Sequence, residues 1–301
     1  MWCCPKCLVP VVFSDPHRPW PPDWACNACG FAVPFIDGIP CLAPEFIHTS
    51  VGFDLQHFST LVKFEQSNFW FVNRARLIVA LIQKHFPQAR DLLEIGSGTG
   101  SVLLALRTAL PQLTLAGSEL HPRGLAFARQ RLSPGVVLLQ MDARRIAARE
   151  KFDVIGAFDV IEHVAEDEQV LSEIFAALKP GGGTIITVPQ HPWLWSPEDD
   201  AAFHQRRYAR GELEAKVEKA GFRVWNSTSF NFTLLPLMVA SRLVMILRAR
   251  HGIGHEPLAE LKVGDWLNRA LSSVLRLEVS LTCAGFRWPV GGSRFVVAQR
   301  P

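Results

Sequence analysis

The sequence predicts an α/β fold. Helices cover both faces of a mainly parallel sheet, a small cysteine-rich ribbon precedes it, and a helical insertion comes before the last strand. Three observations carry this reading. Between residues 91 and 188 short apolar runs alternate with amphipathic stretches, as strands and crossover helices do in a parallel sheet. A glycine-rich run, Gly96-Ser97-Gly98-Thr99-Gly100, joins the first of these strands to the first helix. Six of the seven cysteines fall between Cys3 and Cys41.

The chain has 301 residues, which suggests about two domains. Hydrophobic residues make up 49% and charged residues 20%, enough to bury a core and to exclude disorder. A net charge of +3 is too mild for a general nucleic-acid binder. The first residues, Met1-Trp2-Cys3-Cys4-Pro5-Lys6, hold no apolar leader, and no run of about 18 apolar residues marks a membrane span. A cytoplasmic, reducing setting is expected, in which cysteines are free thiols or metal ligands. The domains read as a ribbon at 1–45, a bridging helical segment at 46–90, the sheet-and-helix core at 91–230, a helical apolar insertion at 231–285 and a final strand at 286–301.

In the ribbon, Cys4, Cys7, Cys26 and Cys29 have the spacing C-x2-C-x18-C-x2-C. Each C-x-x-C turn aims two thiolates at one point, and two such turns make a closed tetrahedral S4 site suited to structural zinc. Some 40 residues rich in Pro and Trp cannot build an adequate core alone, so a metal would supply stability. Asp37-Gly38 between two apolar runs predicts a hairpin. The C-x-x-C pairs and the turn Asp37 to Pro40 resemble the zinc-ribbon arms at the N-termini of some bacterial methyltransferases.

The core elements follow in order. A helical stretch at 60–86 leads into a buried strand at 91–95. The glycine turn opens a helix at 101–109. Strands at 113–118 and 136–140 flank a helix at 121–132. A fourth strand at 152–158 precedes a helix at 166–178. Residues 179–183 read as a turn and 184–188 as the fifth strand. The spacing G-x-G-x-G differs from that of dinucleotide enzymes, and Glu94 before the turn suits a cationic ligand. Glu119, ending the second strand, can accept hydrogen bonds from two ribose hydroxyls. Asp142, after the third, can accept from an exocyclic amine. S-adenosylmethionine (SAM) fits that description.

The runs EIGSGTG (94–100), MDA (141–143), FDVIGAFDVIEHV (152–164) and LKPGGG (178–183), with Glu119, resemble the class I SAM-dependent methyltransferases, of the type 11/12 kind and related to the ubiquinone-pathway enzymes. The resemblance implies a Rossmann-like SAM-binding core. Glu94, Gly96, Ser97, Gly98 and Gly100 would then hold the methionine part, Glu119 the ribose, and Asp142 with Ala143 the adenine edge, with Phe158 a further cofactor-binding residue. Arg74 or Arg76 can pair with the SAM carboxylate, and Phe69, Trp70 and Phe71 can lid the pocket or pack on the core.

Alignment and desolvation can supply most of the acceleration of methyl transfer, and a base matters only if the acceptor must lose a proton. His163 is a candidate base beside Glu162. The Asp159-x-x-Glu162-His163 run resembles that of the ubiquinone-pathway O-methyltransferases, where a similar run is associated with a divalent cation. His204-Gln205-Arg206-Arg207-Tyr208 reads either as an acceptor clamp for an anionic group, with His204 and Tyr208 in catalytic positions, or as a self-capping loop.

A sixth strand is expected at 222–230 and a hairpin-like end at 286–299 with its turn at 289–292. Between them, no Asp or Glu occurs from residue 221 to 255, while Arg223, Arg242, Arg248 and Arg250 do. The apolar centre at 234–247 suits an interfacial membrane helix on the inner membrane face, a hydrophobic acceptor channel, or a buried cap helix. The function expected is SAM-dependent methylation, O- or C-linked, of a small or lipid-like acceptor carrying an anionic group. The alternatives are an RNA methyltransferase gripping RNA through the ribbon, against which stand its few basic residues, and a non-catalytic activator subunit.

Overall fold

The computed structural model describes every residue except 14, 16–18, 50–53, 133, 252–256 and 259–260. Arg18 and the end of the acid-free run, 252–255, therefore lie outside the described residues. The central sheet has seven strands: β5 (Asp91–Ile95), β6 (Thr114–Glu119), β7 (Val137–Gln140), β8 (Phe152–Phe158), β9 (Leu178–Pro189), β10 (Arg223–Phe230) and β11 (Ser293–Gln299). Their order is β10-β11-β9-β8-β5-β6-β7, with β5 to β9 parallel and β11 antiparallel to both of its neighbours. The order reverses at β5 and β8, so a crevice opens at their carboxyl ends.

The helices are α1 (His57–Phe64), α2 (Phe69–His85), α3 (Ser101–Ala109), α4 (Pro122–Arg131), α5 (Asp167–Ala177), α6 (Pro197–Ala201), α7 (Glu212–Lys219), α8 (Leu235–Arg250) and α9 (Asp265–Cys283). The bridging segment is two helices rather than one. Asn68 breaks it by capping α2, its side chain accepting from Trp70 N at 2.9 Å. Each face of the sheet has its own core, one around Leu77, Leu92 and Leu103, the other around Ile155, Leu171 and Ile186.

Two strand expectations need correction. The run 179–183 is not a turn, because β9 already starts at Leu178 and pairs with β8 across a register shift between Phe152 and Val154. A Cβ on Gly183 would stand 2.4 Å from Phe86 Cε1 and 2.5 Å from Ala298 O, so glycine here serves close packing, not a bend. The C-terminal end is not a hairpin either. Residues 286–292 are outside any strand, and β11 alone wedges between β9 and β10.

The N-terminal arm carries β1 (Trp2–Cys3), β2 (Pro10–Val11) and a hairpin of β3 (Phe35–Ile36) and β4 (Ile39–Pro40). Asp37 and Gly38 make its turn at φ 49° and 74°, as their sequence predicts. The arm read as a ribbon at 1–45 packs directly on the central domain. Trp2, Trp20, Val33 and Leu42 share one hydrophobic cluster with Ile155, Leu171 and Ile186 of the central domain. The rings of Trp2 and Phe152 meet edge to face at 5.5 Å. Gln140, fully buried at the end of β7, exchanges hydrogen bonds with Ala43 at 2.8 and 3.0 Å. The arm thereby covers the edge strand of the sheet.

Candidate functional site

The crevice at the strand ends is a cavity of about 500 Å³. Its floor is the β5 end and the glycine loop. Gly96 sits at φ 64°, and a Cβ there would lie 2.4 Å from Val160 Cγ2. Glycine is therefore required on steric as well as torsional grounds. Ser97 and Gly98 also line the cavity. Gly100 does not: it caps α3 at φ 76° and allows Ala128 close, a packing role.

Glu94 is 3% exposed, lines the cavity, and has one carboxylate oxygen, Oε2, without a hydrogen-bond partner among the described residues. Burial pushes its pKa up to about 8, with nearby Arg74 pulling the other way. Glu119 also lines the cavity and accepts from Gly98 N at 3.0 Å and His121 N at 3.1 Å. Burial raises its pKa too, against those N–H groups. Two buried carboxyls facing one cavity are unfavourable unless a ligand brings donors or positive charge.

Asp142, Ala143 and Phe158 line the cavity. Asp142 already binds its neighbour: Arg144 donates to it from the backbone at 2.9 Å and from Nε at 3.0 Å. Arg74 lines the cavity, but its guanidinium donates to Phe158 O at 2.8 Å and pairs with Asp159 at 2.5 Å. Arg76 is not among the lining residues and donates to Asn73 Oδ1 at 3.1 Å. The aromatics Trp70 and Phe71 do face the cavity, and Phe69 packs on the core instead. Phe58 and Leu61 of α1 complete the lid, with Glu65 just after them. Sequence reasoning missed these three, because α1 lies far from any motif.

The clamp expected at 204–208 is turned inward. Tyr208 is fully buried and donates to Asp167 Oδ2 at 2.7 Å, which excludes it from the cavity. Arg206 pairs with Asp167 at 2.9 Å, and Arg207 with Asp199 at 2.6 Å and with Gln190 O at 3.0 Å. These are braces, so the expectation of an anionic acceptor loses its support. His204 is held by the same brace, its Nδ1 2.9 Å from Asp199 Oδ1. His163 lines the cavity, and its ring meets that of His204 edge to face at 4.7 Å.

Among the described residues, two groups can hold a metal. The sulfurs of Cys4, Cys7, Cys26 and Cys29 all lie within 4.8 Å of one another, with Cys4–Cys29 at 3.7 Å and Cys7–Cys26 at 3.6 Å. A tetrahedral S4 site with Zn–S bonds of ~2.3 Å has edges of about 3.8 Å, so the four thiols fit zinc. The second group is Glu162, His163 and His204, whose ligand atoms also lie within 4.8 Å. Asp159, expected here, is committed to Arg74, and His204 takes its place. Glu162 is fully buried with both oxygens unpartnered among the described residues, and burial, then Asp159, pushes its pKa well up.

The chain is similar to known methyltransferases. Residues 93–184 match a family described as a methyltransferase domain. A probable SAM-dependent methyltransferase from Mycolicibacterium smegmatis is 29% identical over 169 residues, covering 55% of this chain and 63% of that protein. A dTDP-3-amino-3,6-dideoxy-α-D-glucopyranose N,N-dimethyltransferase from Streptomyces fradiae is 32% identical over 142 residues, covering 46% and 51%. The chain thus spans roughly half to 63% of these relatives' lengths. Among solved structures, a SAM-dependent methyltransferase and possible histamine N-methyltransferase from Thermotoga maritima aligns with a TM-score of 0.50 at 17% identity, covering 82% of this chain and 96% of the other.

Proposed function

We propose that this chain, whose central domain is a SAM-dependent methyltransferase domain of the class I fold, methylates a small or lipid-like acceptor on oxygen or carbon. The observation that carries the reading is the buried carboxylate of Glu94 beside the glycine loop, with Glu119 lining the same cavity. The pair fits a ligand with a positive amino group at one end and a ribose at the other. Bound there, SAM would supply an activated methyl group on a sulfonium, already a good leaving group.

The chain's own residues then do three things. Glu94 takes the ammonium, and Glu119, with its oxygens already fixed by Gly98 and His121, accepts from the ribose hydroxyls. Phe58, Trp70 and Phe71 exclude water from the cavity, which strengthens every charge interaction inside. His163 at the wall accepts a proton where the acceptor must lose one. Mass spectrometry of ligand released from purified protein tests the reading: SAM or its demethylated product supports it, and a nicotinamide dinucleotide removes it.

Glu94 also gives a pH prediction. Without ligand its carboxyl is protonated below about pH 8, so binding an ammonium there expels a proton. SAM affinity is expected to rise by up to tenfold per pH unit from 6 towards about 8 and to decline above, where the ligand's own α-amino group, with an ordinary pKa of about 8, loses its charge. Glu94→Gln flattens that rise and weakens binding by about 1.5–3 kcal/mol. Calorimetry at three pH values checks both, and a flat wild-type profile refutes the assignment.

A second reading is favoured by Glu162: a divalent cation between Glu162, His163 and His204, with Asp199 orienting His204 from behind. Manganese titrated into the full chain should bind, and His204→Ala should abolish that binding. Equal manganese binding by the variant would remove this site.

A further inference from the structure

Helix α8 is built the wrong way round for a water-soluble surface. None of its 16 residues is buried, and its exposed stripe is Pro236, Leu237, Ala240, Leu243, Val244 and Leu247, at helical spacing. Leu237, Leu243, Val244 and Leu247 are each 51–56% exposed. The stripe ends in the exposed Arg248 and Arg250. Solvated helices present the opposite pattern, with polar residues outward.

The helix is nonetheless anchored to the body. Glu278 of α9, 1% exposed, accepts from the backbone N–H groups of Asn231, Phe232 and Thr233 at 2.6, 3.2 and 2.9 Å, fixing the turn that starts α8. Arg242 of α8 donates to Ser196 Oγ at 2.9 Å, beside α6. Helix α9 buries Leu275 and Val279, but it too exposes an apolar stripe: Trp266 at 75%, Leu277 at 63% and Leu281 at 39%. Its Arg269 and Arg276 are exposed beside that stripe.

The charge is distributed to match. Helix α8 holds Arg242, Arg248 and Arg250 and no acid, and α9 holds Arg269 and Arg276 with Asp265 and Glu278, so the two helices together are +3. We propose that α8 and α9 dock the protein on an anionic lipid bilayer. The apolar stripes enter the interface while the arginines stay at the level of the headgroups. No helix among the described residues is long and apolar enough to cross a membrane, so the contact is peripheral. A second copy is the poorer occupant, since it would set +3 against +3.

Flotation of the full chain with vesicles decides this without any acceptor or cofactor, so its outcome is independent of the proposed activity. The protein should float with phosphatidylglycerol–phosphatidylcholine vesicles at low salt, stay down with phosphatidylcholine alone, and be released by high salt. Arg248→Glu with Arg250→Glu should cut partitioning by roughly 30-fold or more, at about 1 kcal/mol per arginine. Leu243→Asp with Leu247→Asp should do the same without lowering the melting temperature, because both side chains are already exposed. Protein that stays at the bottom at low salt overturns the proposal. So does equal binding to neutral vesicles, or a concentration-dependent dimer that the leucine variant dissolves.

Discussion

Replacing Cys26 by Ser is expected to remove the zinc and lower the melting temperature by on the order of 10 °C, in one cooperative transition for the whole described body. The sulfur geometry supports the first part, since losing one thiolate of four leaves an incomplete tetrahedron. The shared core supports the second. Trp2 and Trp20 meet at 4.9 Å, and Trp2 rests on Phe152, the first residue of β8. A ribbon without metal cannot hold those indoles in place, and the sheet edge at β7 loses its cover.

The effect should also reach the cofactor. Gln140 pairs with Ala43 on the arm side and is followed directly by Met141, Asp142 and Ala143 on the cavity side. SAM affinity is therefore expected to fall in the zinc-free variant. Differential scanning calorimetry and a SAM titration on the same sample check both parts. Two separate transitions, with SAM affinity unchanged, would show the arm to be energetically independent.

What the sequence made legible is what local chemistry decides. Strand β5 is an apolar run before glycines, Asp37-Gly38 is a turn by torsion alone, and the four thiols are set by C-x-x-C spacing. Three features were not legible, each for a reason of distance. The Gly181-Gly182-Gly183 run looks like a turn by composition, yet it lies within β9, where Phe86 and Ala298 leave no room for a Cβ on Gly183. Arg206 and Arg207 look like ligand donors until Asp167 and Asp199 are found beside them. The outward apolar stripe of α8 depends on which side of the helix meets the body, and an all-round apolar sequence does not encode that.

Asp199→Ala is expected to cost about 3–5 kcal/mol of stability, the loss typical when one partner of a buried ion pair is removed. Asp199 is 1% exposed and accepts from Ser196 N and Oγ, His204 Nδ1 and Arg207 Nε, at 2.6–3.0 Å. Burial alone would raise its pKa, but His204 and Arg207 hold it down at about 2. Against an ordinary 3.8, that is about 2 kcal/mol of stability, present above pH 4 and lost as pH falls through 2. Removing the carboxylate leaves Arg207, 7% exposed, with its hydrogen bond to Gln190 O but without its ion pair, and releases His204 from its fixed orientation. The double variant Asp199→Ala with Arg207→Leu should recover part of the loss, because it removes the unpaired charge. Urea unfolding of four proteins, the parent chain, Asp199→Ala, Arg207→Leu and the double variant, measures the coupling. Strictly additive losses would show that the pair carries no special energy and that the loop is held by its packing alone.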